Sequence, residues 1–484
     1  MNTESIIFII YLIFMLGIGV FFFVRSKGAG EKEYFLGGRS MGPWVSALSA
    51  GASDMSAWSL MGLPASVFAF GMGQTWIGVG LAIGYAISWI LEAPRLRRMT
   101  IVANDSITIP QYLTNRFLSK SSVIRIICAV LFLLAYTVYA ASSMKACGTL
   151  LNTVTDMDSK VAMYISAAIV IAYTFLGGYS AVCWTDFVQG MLMLAALLIA
   201  PIFALIAIKG GQGTLTAAQI AEETEGYWNF FQADWRDIIS GLGWGLGYFG
   251  MPHIIVRFMS VESEKSLKRS SVIGITWTVI IIGFGCATGA IGRMLLGDIE
   301  DSSTIFIQVV RSIFPAVICG ILLSAILAAA MSSADSQLLA ASSAFASDVY
   351  KPIFRKNKAG DKEMLWAGRI VVIVISIVAV LIASNPNSGT VMSLVENAWG
   401  LFGAAFGPAI MMSLFWKRFN VQGATAAIVA GGLVDILWLA FLSGTGIYEI
   451  VPGVIMSIIA GVVVTLLTPA PEKEVQDMFE NALK

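Results

Sequence analysis

Two clusters of oxygen-bearing side chains stand inside long apolar stretches of this 484-residue sequence. The first surrounds Asp54, which Ser53 and Ser56 flank in the run from Ser46 to Pro64. Hydroxyl, carboxylate and carbonyl oxygens are hard ligands that suit a hard cation such as Na⁺. A carboxylate inside a membrane costs about 2.5–3.5 kcal/mol on insertion scales, so a partner, an ion or a water-filled path is expected beside it. The alternative is a protonated Asp54 that is hydrogen-bonded to the backbone.

The second cluster lies in the run from Ile326 to Gln337 and has helical spacing. Its small and hydroxyl-bearing members at i, i+3, i+4 and i+7 form one stripe: Ala329, Ser332, Ser333 and Ser336. Asp335 lies at the edge of that stripe. Taken alone, the serines are explained almost equally well by hydrogen bonds to the carbonyl one turn earlier. Together with Asp54, they favour an ion site.

The elements that carry both clusters have the composition of membrane helices. The chain is 57% hydrophobic and only 12% charged, whereas roughly a quarter of a soluble domain is charged. Its mean hydropathy is +0.80. The apolar blocks are long enough to cross a bilayer, which takes about 20 residues, and there are thirteen: 5–24, 44–70, 75–93, 123–149, 161–177, 185–208, 237–256, 271–293, 313–345, 366–384, 391–415, 422–443 and 449–468. We therefore predict an all-α integral membrane protein with 13 transmembrane helices.

The second and seventh blocks are unlike the others, because both are rich in glycine, carry polar groups and end in a proline, Pro64 or Pro252. Close helix packing explains the glycines but not Asp54. An interrupted helix that opens each half of a five-plus-five repeat is typical of secondary transporters with a midplane site. We predict one transmembrane domain over 1–468, with inverted repeats at 44–208 and 237–415, and a short cytoplasmic tail at 469–484.

The basic residues predict the orientation. If the loop after the first block is cytoplasmic, 24 of the 30 Lys and Arg residues lie inside. This bias predicts an outside N-terminus and an inside C-terminus. The 30 acidic residues cancel the 30 basic ones, so there is no net field that would hold nucleic acid. The sequence contains no P-loop, dinucleotide fingerprint, HExxH motif or nucleophile elbow, and it does not indicate an enzyme.

Several polar and aromatic residues are weaker candidates for a site. Asp186 follows Thr185 where the sixth block begins, so a helix N-cap is its simplest interpretation. Arg39 ends the first cytoplasmic loop, where it is either an orientation signal or a gating residue. His253 is the only histidine and is better explained as structural than as a proton relay. Three aromatic residues either line a cavity or pack and anchor the helices: Tyr139, Trp244 and Tyr248.

Five segments carry a resemblance to a known family: Leu36–Ser40, Ser46–Pro64, Gly177–Asp186, Gly241–Met259 and Gly320–Ser333. On these segments the whole chain resembles the solute:sodium symporter family, and within it the branch that transports proline. The resemblance implies a LeuT-like five-plus-five inverted repeat made of spans 2–6 and 7–11. It also implies Na⁺-coupled uptake of L-proline by alternating access in the plasma membrane, with no obligate protein partner.

The resemblance also implies roles for particular residues. It places a Na⁺ site between the second and ninth spans, formed by the carbonyls of Ala52, Met55 and Ala329 and the hydroxyls of Ser332 and Ser333, with Asp54 as the essential acidic residue. The residues that it implies near proline are Tyr139, Trp244, Tyr248, Pro252, Trp58, Ser56 and Gly62. Those with gating or secondary ion roles are Arg39, Asp186, Asp335 and Ser336.

Asp335 departs from the proline branch, which has a small polar residue at this position. Asp335 either belongs to a second cation site with Asp186 and Ser336 or is a charge on the cytoplasmic side of its helix. Two further functions remain open. One is Na⁺ symport of another small zwitterion or carboxylate, and the other is a non-transporting membrane sensor with the same fold.

Overall fold

The computed structural model describes residues 3–25, 31–155 and 157–483, which form helices and one isolated β-bridge between Met41 and Val261. Two of the basic residues used for the orientation, Lys27 and Lys484, lie outside this part of the chain. The α-helices are α1 (Thr3–Arg25), α2 (Glu31–Leu36), α3 (Pro43–Asp54), α4 (Gly62–Phe70), α5 (Thr75–Ile87), α6 (Ala93–Val102), α7 (Ile109–Arg116), α8 (Val123–Thr155), α9 (Ser159–Ala207), α10 (Ala217–Glu223), α11 (Trp235–Gly243), α12 (Pro252–Ser260), α13 (Glu264–Leu296), α14 (Ile305–Ile313), α15 (Ala316–Ala344), α16 (Asp361–Ala383), α17 (Val391–Phe415), α18 (Val421–Phe441), α19 (Ile450–Leu467) and α20 (Lys473–Asn481).

Shorter helical segments of other types connect or extend these helices. The 3₁₀ segments are Gly37–Arg39, Ala57–Ser59, Met72–Gln74, Trp244–Phe249, Ser302–Thr304 and Ser443–Thr445. The π-helical segments are Ser88–Glu92, Ile208–Gln212 and Phe345–Phe354.

Ten of the helices in the described residues are long and apolar enough to cross a membrane. They correspond to ten of the thirteen predicted spans. The other three predicted spans, 44–70, 161–177 and 237–256, are occupied by shorter or interrupted helices, which include the apolar pieces Ala57–Phe70 and Ser159–Ala172. The all-helical membrane fold is therefore confirmed, whereas helix length alone supports ten spans.

The second and seventh predicted spans are interrupted, as their glycines and polar groups predict. Helix α3 ends at Asp54, and Met55 has non-helical dihedral angles of φ −74° and ψ 62°. In the seventh span, α11 passes into the 3₁₀ segment Trp244–Phe249, and a new helix begins at Pro252. A proline in the first turn of a helix costs no hydrogen bond, so Pro252 marks the restart of the helix.

A single glycine separates the fifth and sixth predicted spans. Helix α9 runs from Ser159 to Ala207 and is broken at Gly178, which has φ +63° and ψ −176°. Glycine adopts such a conformation without the steric penalty of a Cβ atom. The helix resumes directly, so Asp186 lies inside α9 rather than at a helix start. The N-cap interpretation of Asp186 is therefore wrong.

Glycines allow α5 to approach the seventh span backbone to backbone. A Cβ atom on Gly84 would lie 2.1 Å from the carbonyl oxygen of Gly245, and one on Gly80 would lie 2.1 Å from that of Gly241. No side chain fits at these distances. The small-residue packing that we weighed as an alternative therefore explains the glycines of the seventh span, in addition to the helix interruption.

The segment 469–484, expected as a short tail, contains the folded helix α20. Val475 and Phe479 are buried on its inner face. The buried Arg116 side chain donates from Nη1 to the carbonyl oxygen of Val475 at 3.3 Å, and its guanidinium lies 5.1 Å from the ring centre of Phe479. Helix α20 therefore covers the end of α7.

We expect Gly84→Ala to destabilise the protein, because the new methyl group would overlap the backbone of Gly245. Overpacking of this kind costs about 1–3 kcal/mol, which should lower the melting temperature of the purified protein in detergent. The matched control is Gly283→Ala in α13, where a Cβ atom meets nothing within 4 Å. Equal melting temperatures for the two variants would contradict the close contact between α5 and the seventh span.

Candidate functional site

The interruption of the second span places Asp54 at the centre of a buried polar site. The Tyr248 hydroxyl donates to Asp54 Oδ2 at 2.6 Å. Trp58 Nε1 and the Tyr139 hydroxyl both donate to the Asp54 carbonyl oxygen, at 3.3 and 3.5 Å. All four residues are buried. Within the described part of the chain, no donor reaches Asp54 Oδ1, so this carboxylate retains one free acceptor.

Aromatic rings form a wall beside Asp54. The ring centres of Trp58 and Trp244 are 6.0 Å apart, and Tyr248 lies 5.0 Å from Trp399 and 4.9 Å from Tyr85. Trp399 Nε1 also donates to the Trp244 carbonyl oxygen at 2.7 Å, which holds a backbone group of the 3₁₀ segment. The predicted aromatic residues are thus brought together, and two further rings, Tyr85 and Trp399, join them.

The other three residues expected near the substrate, Ser56, Gly62 and Pro252, have different surroundings. Ser56 is buried inside the helix interruption, and its hydroxyl has no partner among the described residues. Gly62 begins α4, where a Cβ atom would lie 3.5 Å from Trp58 Cβ and 3.1 Å from Met392 Sδ. Pro252 begins α12 and borders a crevice of about 20 Å³, which is room for roughly one water molecule.

The predicted cation ligands from the second and ninth spans meet. Ser332 Oγ lies 2.8 Å from the Ala52 carbonyl oxygen and 3.2 Å from the Ala329 carbonyl oxygen. Ser333 is fully buried, and its hydroxyl has no partner among the described residues. Met55 has left the helix, so its carbonyl is not committed to a regular helical hydrogen bond. This set of neutral oxygens has the chemistry that a monovalent hard cation requires.

A second buried polar network surrounds Asp186, where four helices meet. Arg257 Nη2 donates to Asp186 Oδ2 at 3.1 Å and to Ser336 Oγ at 2.5 Å. Ser49 donates to the same Asp186 oxygen at 2.6 Å and accepts from Arg257 Nε at 3.0 Å. The four side chains are at most 1% exposed. The network ties together α3, α9, α12 and α15.

Asp335 is fully buried in α15, next to Ser336. Asp335 is therefore not an exposed charge on the surface of its helix. Its negative charge acts on Arg257, so Asp335 belongs to the electrostatic surroundings of the Asp186 network.

Arg39 connects three segments of the chain through hydrogen bonds. Its Nε donates to Asp105 Oδ1 at 2.9 Å, Nη1 to the Met259 carbonyl oxygen at 2.6 Å, and Nη2 to the Ser106 carbonyl oxygen at 3.0 Å. Burial raises the pKa of Asp105, but hydrogen bonds from Lys32 and Arg39 outweigh burial and hold that pKa below its usual range. The ion pair is therefore charged at neutral pH.

Arg257 and His253 are both buried in α12, and the sequence analysis did not identify Arg257 as a site residue. Arg257 is one of the basic residues from which we predicted the orientation, yet it is 1% exposed. Its position four residues after His253, in the apolar run Ile-Ile-Val, was the available signal. His253 is also buried, and its backbone N–H donates to the Tyr136 hydroxyl at 2.9 Å. A structural role for His253 stays a prediction.

Known proteins resemble this chain over nearly its whole length. The sequence profile of the sodium:solute symporter family matches residues 34–431. The osmoregulated proline transporter OpuE of Bacillus subtilis is 44% identical to the chain, over 99% of this chain and 98% of its own length. The sodium/proline symporter of Escherichia coli is 42% identical, over 98% of this chain and 95% of its own length.

Solved structures share the fold. A Na⁺-coupled sialic acid symporter in a substrate-bound, outward-open state superposes with a TM-score of 0.81 at 22% identity, over 98% of this chain and 99% of its own. The transporter MhsT in complex with L-phenylalanine superposes with a TM-score of 0.57 at 15% identity, over 88% of this chain and 98% of its own. With a family profile that matches most of its length and relatives above 40% identity, the chain belongs to the sodium:solute symporter family.

Proposed function

We propose that this protein is a multi-pass plasma-membrane symporter that couples the uptake of L-proline to the entry of Na⁺ by alternating access. We choose proline as the substrate because the chain is similar, over nearly its full length, to proteins named as proline transporters. We choose Na⁺ as the coupling ion because the chain belongs to the sodium:solute symporter family. The buried oxygens around Asp54 and Ser332 suit that ion.

The Na⁺ ligands in this proposal are the carbonyls of Ala52, Met55 and Ala329 and the hydroxyls of Ser332 and Ser333. These groups are neutral, so the nearby Asp54 carboxylate supplies the only negative charge of the set. Its unpartnered Oδ1 supports this role. Ser332 of the ninth span contacts the Ala52 carbonyl of the second span. In this proposal the Na⁺ site is therefore complete only while the two spans are close together.

Proline is proposed to bind beside this ion, where the interrupted second and seventh spans face each other. The aromatic wall offers apolar faces for the pyrrolidine ring and a π surface for its ammonium group. The residues proposed to contact proline are Trp58, Trp244 and Tyr248 of the wall, Tyr139 next to it, Ser56 and Gly62 at the helix interruption, and Pro252 at the start of α12.

We further propose that all thirteen predicted segments cross the membrane, with the N-terminus outside and the C-terminus inside. The shorter pieces Ala57–Phe70 and Ser159–Ala172 are apolar, which supports spans two and five. The paired interruptions at Asp54 and at Trp244–Phe249 support inverted repeats at 44–208 and 237–415. Alternating access then requires release of the cytoplasmic contacts of Arg39, which gives this residue its gating role.

We propose that one Na⁺ accompanies each proline. The Arg257 guanidinium supplies a positive charge beside Asp186 and Ser336, where a second cation would otherwise have to bind. Placing a mobile cation next to a buried guanidinium is electrostatically unfavourable. Asp335, close to the same guanidinium, then balances charge rather than holding a second transported ion.

Purified protein in liposomes should accumulate labelled proline only when a Na⁺ gradient is present. At 100 mV, one charge per cycle supplies about 2.3 kcal/mol, and a tenfold Na⁺ gradient adds about 1.4 kcal/mol. The sum of roughly 3.7 kcal/mol sustains an accumulation ratio on the order of 500. Uptake that is equally fast in choline, or that carries no charge, would contradict the proposal. Competition by other small zwitterions tests the choice of substrate.

Asp54→Asn should sharply reduce apparent Na⁺ affinity and with it proline uptake, because the variant keeps the shape and one oxygen but loses the charge. Asp54→Glu should retain more activity than Asp54→Asn. The measurement is uptake as a function of Na⁺ concentration in proteoliposomes. Asp477→Asn, at an exposed position on α20, is the matched control and should behave like the wild type. An Asp54→Asn variant with unchanged Na⁺ dependence would make Asp54 merely structural.

Asp335→Ser should leave the number of charges moved per proline at one. This follows if Arg257 excludes a second transported cation from the Asp186 network. Parallel measurement of transported charge and labelled proline in proteoliposomes gives the ratio directly. A wild-type ratio near two that falls to one in Asp335→Ser would overturn the single-ion stoichiometry.

A further inference from the structure

A cavity of about 630 Å³ lies between the first helix and the helices behind it. Its lining comes from α1, α8, α9 and α15 and from the connection between α8 and α9. The residues assigned above to Na⁺ and to proline are not among those that line it. The volume lies in the range of pockets that bind small molecules, about 300–1,000 Å³. The cavity is therefore large enough for a ligand of its own.

The inner part of this cavity is apolar. Three of its buried lining residues, Phe8, Leu327 and Met331, are at most 3% exposed. Ser166 also lines it, but its hydroxyl already donates to the Ala162 carbonyl oxygen at 2.9 Å. Apolar cavities do not hold ordered water, because a water molecule there lacks hydrogen-bonding partners. The interior therefore suits an apolar group.

The mouth of the cavity opens onto the apolar outer surface of the helices. Two of the lining residues, Ile9 of α1 and Ile165 of α9, are 44% and 40% exposed. Further large apolar side chains are exposed on the same two helices: Ile6, Ile10, Ile13, Val161 and Tyr164. In a multi-pass membrane protein, a surface of this kind faces the hydrocarbon of the bilayer. The cavity is therefore continuous with the surface that lipid covers.

The length of the cavity corresponds to one leaflet of a bilayer. Its lining extends from Cys147 to Thr155 along α8 and from Ser5 to Leu12 along α1. At the rise of an α-helix, these stretches are about 12 Å and about 10 Å long. The hydrocarbon core of a bilayer is about 30 Å thick, so the chains of one leaflet extend about 15 Å. Most of one lipid acyl chain therefore fits along the cavity.

Polar groups lie at one end of the cavity, where Ser5 and Thr155 are part of the lining. Next to them in the sequence, an ion pair joins α1 to α14: Arg311 Nη2 donates to Glu4 Oε2 at 2.6 Å. Arg311 Nη1 also donates to the Thr153 carbonyl oxygen at 3.0 Å. Guanidinium and hydroxyl groups are donors that suit a phosphate. A polar end and an apolar interior favour an amphipathic phospholipid over a wholly apolar molecule.

We propose that this cavity binds one acyl chain of a membrane phospholipid. The headgroup lies at the polar end, and the chain passes the exposed Ile9 to reach Leu327 and Met331. Met331 precedes Ser332 on α15, so the bound chain contacts the helix that carries two of the proposed Na⁺ ligands. Binding of this kind does not depend on which solute the protein transports.

The site can be tested in the full-length protein, reconstituted in lipid nanodiscs with phosphatidylglycerol that carries a photoreactive diazirine group in one acyl chain. Lipid that only surrounds the protein does not reach the buried Leu327 and Met331. After illumination, mass spectrometry of the peptides should find the label on these two residues. Leu338, two turns further along α15, is equally buried and is the matched control without label. No label on Leu327 and Met331, or equal labelling of Leu338, would overturn the proposal.

Ser166→Phe should abolish this labelling, because the new ring takes the space of the acyl chain. Native mass spectrometry of the purified variant should also find one phospholipid fewer than in the wild type. Leu151→Trp, at another lining position, serves the same purpose if Ser166→Phe does not fold. Ile370→Phe, on the exposed side of α16, is the matched control and should keep the wild-type labelling. Unchanged labelling of Leu327 in both filled variants would contradict the proposed site.

Other occupants of the cavity give different results. A free fatty acid with the same photoreactive group that labels Leu327, where the phospholipid does not, would overturn the choice of ligand. A second copy of the chain would overturn it too, and crosslinks between the α1 helices of two copies would reveal that contact. Because the labelling needs no transport, these outcomes are distinct from a failure of Na⁺-coupled proline uptake.

Discussion

A membrane interior offers no hydrogen-bonding solvent to an unwound backbone, so an interrupted helix survives there only if protein surrounds it. This constraint governs the arrangement around Asp54. The Trp244 carbonyl is bonded by Trp399, the Asp54 carbonyl by Trp58, and the glycines of α5 and α11 pack backbone to backbone. Aromatic side chains of the wall therefore bond backbone carbonyls at the interruptions, in addition to packing beside Asp54.

The buried carboxylates of Asp186 and Asp54 have different partners, and this difference supports the role that we propose for Asp54. Asp186 is bonded to the Arg257 guanidinium, so its charge is neutralised by a residue of the protein. Removing one partner of such a pair is far more costly than its net contribution suggests. Asp54 has only neutral donors among the described residues, including Tyr248. In the function that we propose, the charge of Asp54 is left for a cation that can come and go, whereas the charge of Asp186 is already paired with Arg257.

Much of the site could be predicted because its signals are local. A carboxylate beside glycines and serines in an apolar run indicates an interruption, and the spacing of Ser332 and Ser333 defines one helix face. The position of Asp186 could not be predicted, because a single glycine, Gly178, replaces the expected loop and leaves it within a helix. Nor could the partner of Arg257 be predicted, since Asp186 lies 71 positions away in the sequence.

Helix α20 has a consequence for the biogenesis of the protein. Arg116 belongs to the first quarter of the chain, yet the carbonyl that it bonds, Val475, lies 359 positions later. A nascent chain that has inserted its early helices therefore still carries a guanidinium whose burial awaits the final residues. The packing of α7 against α20 can therefore form only after α20 has been translated.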